Sequence, residues 1–289
     1  MKAAPFEHAR PANVADAISL LAAQAGTARV LAGGQSLGPM LNLRLTQPRL
    51  LVQVDRLPEL AGVAIDAEAL TIGACVTHAA IADGRAPDIG GNVLARVADN
   101  IAYRAVRNRG TMGGSLCHAD PAADWVTVLT ALDAVAVLQG PAGARSIRVA
   151  EFVQGAFRTA LLPSEILCAV RVPRLPADAR WGYVKACRKP GDFAHAMAAV
   201  VLTAHSRRVV IGALGGKPLV LQGEAASFDG ATRALQAMDG LDQGSATCSL
   251  PRCAALWPRR MHEPGYAHRE WRAGDGRGGA AHTSRGFPA

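Results

Sequence analysis

Two glycine-rich runs set the terms for any fold of this chain: Leu31-Ala-Gly-Gly-Gln-Ser-Leu-Gly38 and Asn108-Arg-Gly-Thr-Met-Gly-Gly-Ser-Leu-Cys-His-Ala-Asp-Pro-Ala-Ala-Asp124. A glycine pair beside a hydroxyl lets backbone N–H groups approach phosphate oxygens, because no β-carbon stands in the way. Gly33 and Gly34 follow the apolar run Arg29-Val-Leu-Ala32, where a strand ends and its donors come free. Gly113 and Gly114 lie between Thr111 and Ser115, which add hydroxyl donors. A glycine pair after a strand also serves as a plain turn, and that is the commoner reading for either run alone. The two together suggest a diphosphate gripped from both sides. Neither run fits Gly-x-Gly-x-x-Gly or a Walker loop with its lysine, which disfavours a Rossmann dinucleotide site and a P-loop.

The runs sit in a chain with three periodic units. Asn13 is placed to cap a helix whose apolar residues Val14, Ile18, Leu21 and Ala25 recur at helical spacing, with Gly26 ending it. A strand over 30–32, alternating Leu41, Leu43 and Leu45, and an apolar run over 50–54 complete a small α/β unit, residues 1–60. A second unit, 61–175, opens with a β-rich run over 70–74. From Asn92, the residues Val93, Leu94, Val97, Ile101 and Ala105 keep a helical period and predict one helix leading into the second glycine run. A helix over 125–132, a strand over 135–138 and a strand over 166–172 follow, the last bounded by Pro163 and Pro173. Residues 173–178, with two prolines, read as a linker. Beyond them, 181–186, 198–203 and 209–214 read as three strands of one antiparallel sheet in a unit ending near 246.

Composition narrows the function. The 289 residues can bury a sizeable core, no apolar run reaches the length of a membrane span, and the start lacks a signal peptide's pattern, so a cytoplasmic location is expected. Six cysteines are scattered without a C-x-x-C pair, which argues against a zinc or iron–sulfur site within the chain. The formal charge of +8 raises nucleic acid as a partner, but half of it falls in residues 251–289, where seven Arg face three acidic residues. The other 24 basic residues nearly balance 20 acidic ones, and no basic helix with interleaved aromatics appears, so a nucleic-acid partner is not expected. No nucleophile–base pair and no paired carboxylates at metal spacing are visible.

The run over 106–124, with Ala32-Gly-Gly-Gln-Ser-Leu37 and Leu70-Thr-Ile-Gly-Ala-Cys-Val-Thr-His78, resembles the FAD-binding subunit of molybdenum hydroxylases from about residue 6 to 223. The resemblance implies an α+β protein with a PCMH-type FAD-binding fold: two α/β subdomains, 1–60 and 61–175, then a small C-terminal α+β domain, 176–246. It implies FAD held by Leu31, Ala32, Gly33, Gly34, Gln35, Ser36, Leu37 and Gly38 in the first loop, and by Thr111, Met112, Gly113, Gly114 and Ser115 in the second. It also implies an electron-exit role beside a large molybdopterin-binding partner and a small partner carrying [2Fe-2S] clusters, as a dimer of heterotrimers.

Other positions are carried over one at a time. Asp124, by itself an N-cap carboxylate at a helix start, matches a position by the cofactor. Lys185, by default a solvated strand lysine, matches a flavin-contacting lysine whose charge would favour the anionic reduced ring. Phe193 stands where the family often has a tyrosine near the flavin. Leu167 and Ile101, otherwise core residues, match positions packed on the cofactor. His78 and His118 lack a ligand or carboxylate at i+4 and read as structural. Asp120 and Asp124 would share a face only in a helix, which Pro121 disfavours. One rival is a self-contained FAD oxidase or reductase related to vanillyl-alcohol oxidase; another is a basic nucleic-acid module. The tail over 247–289 carries no sustained period and reads as poorly ordered, and a reading-frame change is the expectation for why the family's closing helix is missing.

Overall fold

A computed structural model describes residues 2–24 and 26–238. The first unit is a three-stranded sheet, β1 (Glu7–Ala9), β2 (Ala28–Leu31) and β3 (Leu50–Gln53), ordered β1-β3-β2 with both pairings parallel. Helix α1 (Val14–Ala23) crosses between β1 and β2. It starts where expected because Asn13 Oδ1 accepts the Asp16 N–H at 2.8 Å, satisfying one of the four orphan donors of the first turn. Its buried stripe of Val14, Ala17, Ile18 and Leu21 packs on Leu50, Val52 and Val54. Ala25, expected on the same stripe, lies outside the described residues.

The alternation of Leu41, Leu43 and Leu45 is not a strand. Residues Leu37–Asn42 form α2, started by the Gly38 N–H to Gly34 O bond, and Pro39 is tolerated in its first turn, where an N–H has no helical partner. Leu41 is buried inside it, while Leu43 and Leu45 follow in an exposed turn around Arg44, whose φ is 57°.

The second unit corrects the expected α/β layout. Its five strands, β4 (Val63–Ile65), β5 (Ala69–Gly73), β6 (Val135–Gly140), β7 (Gly143–Arg148) and, after the β8 (Val153–Gly155) and β9 (Arg158–Thr159) hairpin, β10 (Ile166–Pro173), form a sheet ordered β4-β5-β10-β6-β7 that is antiparallel throughout. Its helices are α3 (His78–Ala82), α4 (Val93–Asp99), α5 (Arg104–Arg107), α6 (Met112–His118), α7 (Asp124–Ala131) and α8 (Val149–Phe152). The helix predicted through Ala105 breaks into α4 and α5. Between them Ala102 takes φ 44°, and the Arg107 guanidinium donates to the Ile101 and Ala102 carbonyl oxygens at 3.1 and 3.0 Å. Those carbonyls therefore serve a side chain instead of a helical ladder.

The third unit has four strands, not the expected three: β11 (Arg180–Ala186), β12 (Ala196–Leu202), β13 (Arg207–Gly212) and β14 (Leu219–Gln222), antiparallel in sequence order, followed by α9 (Phe228–Gln236). Strand β14 is four residues long behind Gly215-Gly216-Lys217-Pro218, too short to give a period of its own. One hydrophobic core runs through the second unit and takes in Ala199 and Val210 of the third. Helix α7 is buried along its whole length, polar Asp124, Thr127 and Thr130 included. Among the described residues no helix is long and apolar enough to cross a membrane. The tail over 247–289, with Cys248 and Cys253, lies outside the described residues.

Candidate functional site

The two glycine runs meet. A β-carbon on Gly33 would stand 1.9 Å from the Arg109 carbonyl oxygen and 3.0 Å from Gly110 Cα, so only glycine lets the first loop lie against the second. Ala32 sits 4.0 Å from the place where a Gly114 β-carbon would be. Gly34 takes φ 72°, turning the chain from β2 into α2. Among the described residues no hydrogen bond is donated by the backbone N–H of Gly33, Gly34, Gln35, Ser36 or Leu37, whereas Gly38 donates back to Gly34. Five consecutive backbone N–H groups without a protein acceptor are donors available to phosphate oxygens. Gln35 braces the turn through its side-chain N–H to Gly33 O at 3.2 Å.

The second loop differs from its sequence expectation. Its glycines lie in the first turn of α6, and the Met112 and Gly113 N–H groups donate to Val76 O and Ala74 O at 3.1 and 2.9 Å. The Gly114 N–H is capped by the Thr111 hydroxyl at 3.0 Å, and the Ser115 N–H bonds Thr111 O. These amides are therefore engaged inside the protein and are not the free donors that were expected. Gly113 is needed instead for close approach, since a β-carbon there would lie 2.7 Å from Ala74 O. The Thr111 hydroxyl, used as an acceptor, keeps its proton for donation.

His78 supports the second loop from below. Its ring nitrogen Nδ1 accepts the Trp125 indole N–H at 3.1 Å, its backbone N–H bonds Gly110 O at 2.9 Å, and a β-carbon on Gly110 would press on its ring. Burial, with the nearby Arg107 charge adding to it, lowers its pKa to about 4, so it is neutral at pH 7. His118, at the end of α6, packs on Phe157 with ring centroids 5.2 Å apart. Asp120 accepts the Ala122 N–H in the loop before α7.

Arg107, two residues before the Arg109 that meets Gly33, fixes a neighbouring corner. The Ile101–Ala102 corner, fixed by Arg107, receives Gly191 of the segment between β11 and β12, where a β-carbon would lie 2.9 Å from Ala102 O. Lys189 Nζ lies 6.0 Å from the centre of the Tyr103 ring beside it. Phe193, on the same segment, is 68% exposed. Leu167 is buried in the core of the second unit, at a bulge in β10.

Asp124 does not cap its helix; Ala123 is the N-cap, and no side chain caps it. Its carboxylate turns to β11, where Lys185 Nζ lies 3.1 Å from both oxygens and the Tyr183 hydroxyl donates to Oδ1 at 2.5 Å. Lys185 is not a solvated strand lysine, since its side chain is 8% exposed and Asp124's is 7%. Its remaining reach is toward Asn100 O at 3.5 Å, next to Ile101. Tyr183 escaped the sequence reading, although Trp181, Tyr183 and Lys185 alternate along β11 and so share one face of the strand. Arg109, 60% exposed, pairs with Asp55 at 3.5 Å beside the first loop.

The chain is similar to known proteins in sequence and in fold. Residues 4–175 match the family described as the FAD binding domain in molybdopterin dehydrogenase. The chain is 35% identical over 256 residues to the alpha subunit of the 6-hydroxypseudooxynicotine dehydrogenase complex of Paenarthrobacter nicotinovorans, covering 84% of this chain and 86% of that one. It is 38% identical over 202 residues to the carbon monoxide dehydrogenase medium chain of Hydrogenophaga pseudoflava, covering 68% and 69%. The structure of reconstituted CO dehydrogenase from Oligotropha carboxidovorans superposes with a TM-score of 0.78 at 31% identity, over 89% of this chain and 98% of that one. A family match across more than half of the chain, with similarity of this extent, makes the chain a member of the FAD-binding domain family of molybdopterin dehydrogenases, an oxidoreductase subunit of the medium, FAD-binding type found in molybdenum hydroxylases.

Proposed function

We propose that this chain is the electron-exit subunit of a molybdenum hydroxylase complex, and that FAD runs from the 31–38 loop to Lys185. The observation that carries the reading is the seating of Gly33 on Arg109 and Gly110, which unites both glycine loops beside five unclaimed N–H donors. In this reading Ala32 to Leu37, with the hydroxyls of Thr111 and Ser115, hold the diphosphate. Leu31, Gly38, Met112, Gly113 and Gly114 shape the cradle, and Leu167 backs it. Ile101, Phe193, Asp124 and Lys185 border the isoalloxazine. Residues 1–60 and 61–175 are the two FAD-binding subdomains and 176–246 the C-terminal domain.

When bound, FAD supplies the exchange between single electrons arriving from [2Fe-2S] clusters of a small partner and two-electron delivery to an external acceptor. The molybdopterin centre that oxidises the substrate belongs to a large partner. The relatives support this division: one is a subunit of a dehydrogenase complex and another a medium chain. Relatives named for 6-hydroxypseudooxynicotine, carbon monoxide, caffeine and nicotine share this type of chain, as expected if substrate choice resides elsewhere. The assembly is a dimer of heterotrimers in the cytoplasm.

The test is purification of the full chain alone and with its co-expressed partners. Alone and loaded with FAD, it should be yellow, reducible by dithionite and inert toward organic substrates; the complex should contain molybdenum and iron. Reduction of the isolated chain by an organic substrate would instead identify a self-contained oxidase, and a folded chain that stays colourless with FAD would end the reading.

A further inference from the structure

The buried contacts at the junction of α7 and β11 assign a role to a residue outside the expected site. Asp124 and Lys185 form an ion pair almost closed to water, where charges act over longer distances than at the surface. A carboxylate and an ammonium held this close largely cancel each other when felt from a few ångströms away. What the pair presents to its surroundings depends on how the carboxylate charge is shared among donors. Tyr183 is the third member: its hydroxyl donates to Asp124 Oδ1, the oxygen that also faces Lys185 Nζ. Burial, with Asp124's negative charge adding to it, holds the Tyr183 hydroxyl well above its usual pKa, so it remains a donor. Strand geometry fixes the arrangement, because Tyr183 and Lys185 are two residues apart on one face of β11 and Asp124 approaches from the first turn of α7.

We propose that Tyr183 is a positioning residue for the flavin: by taking part of the Asp124 charge it leaves Lys185 with a net positive field at the Asn100–Ile101 edge of the site. This rests on the reading that the isoalloxazine lies against Lys185. Tyr183 acts through Asp124, the acceptor of its hydroxyl. Removing only its oxygen should leave the carboxylate fully opposed to Lys185, make the field at the ring more negative, and disfavour the reduced flavin.

The experiment is a redox titration of flavin absorbance in the full chain carrying FAD, for wild type, Tyr183→Phe, Lys185→Met, Asp124→Asn and the double variant Tyr183→Phe/Asp124→Asn. The expected result is a lower midpoint potential for Tyr183→Phe, a larger fall for Lys185→Met, and a rise for Asp124→Asn. In the Asp124→Asn background, Tyr183→Phe should produce no further shift, which a merely structural tyrosine would not reproduce. An unchanged or higher potential in Tyr183→Phe, with Lys185→Met still lowering it, overturns the proposal and leaves the flavin reading standing. No shift in Lys185→Met removes both. If Tyr183→Phe does not fold, Asp124→Asn reads the same arrangement with the opposite sign, and a fall or no change there overturns the proposal.

Discussion

A β-carbon at Gly33 has nowhere to go but into the Arg109 carbonyl, a backbone atom that cannot swing aside. Gly33→Ala should therefore separate the two loops at a cost of about 1–3 kcal/mol and release FAD, seen as loss of flavin absorbance after gel filtration. Gly38→Ala is its control: nothing lies within 4 Å of that β-carbon, the residue is helical, and stability should rise by about 0.5–1 kcal/mol. His78 makes stability pH-dependent. Its folded-state pKa is held near 4 against an ordinary 6.5, so the unfolded chain takes up a proton first. The neutral-histidine contribution is fully present above about pH 6.5 and is lost as pH falls toward 4, by about 3 kcal/mol in all. Urea unfolding of wild type and His78→Gln across that window should show the slope only in wild type.

At the scale of the element, α7 shows most clearly how context overrides pattern. Eight residues without a polar face would be read as a core helix, yet three polar side chains are buried in it. Asp124 and Thr130 have partners, the latter through its hydroxyl to Val126 O at 2.6 Å. Thr127 has none: its Oγ1 is buried and unpartnered against Gly212 of β13, where any β-carbon would collide with it. Thr127→Val replaces that hydroxyl by a methyl of similar shape and should stabilise the protein by about 1 kcal/mol in thermal unfolding. Just before β10, Glu165 accepts from Arg145 at 2.6 Å through both oxygens and from the Leu162 N–H at 2.9 Å. The Arg145 hydrogen bonds hold its carboxyl below the usual range, so this stabilisation is present above pH 4.5 and lost as pH falls through the lowered folded-state value. Glu165→Gln should remove that acid dependence.

For the whole molecule, the shared core makes the second and third units one cooperative body. Leu129 lies on α7, fully buried in the core that contains Ala199 and Val210 of the third sheet. Leu129→Ala should cost about 2–5 kcal/mol and lower amide-exchange protection in β10 and β12 together. Loss of protection confined to one sheet would show that the units unfold separately.

Local chemistry was legible wherever a residue acts on its own neighbours in the chain. Asn13 as a cap, β5, β6 and β10, the start of α7 and the glycine pairs as close-approach points all follow from period, propensity or a missing β-carbon. The sequence also pointed to free backbone N–H groups in the 31–38 loop, because a strand end followed by two glycines frees them, and it pointed equally to the second loop, where they are not free. It took the folded chain to show that the 112–115 amides are spent on Val76, Ala74 and Thr111, that Arg107 breaks one predicted helix into two, and that Lys185 is buried against Asp124 and Tyr183. Each of these depends on a partner from another segment, and a polar group's behaviour is set by whichever partner reaches it when water is removed.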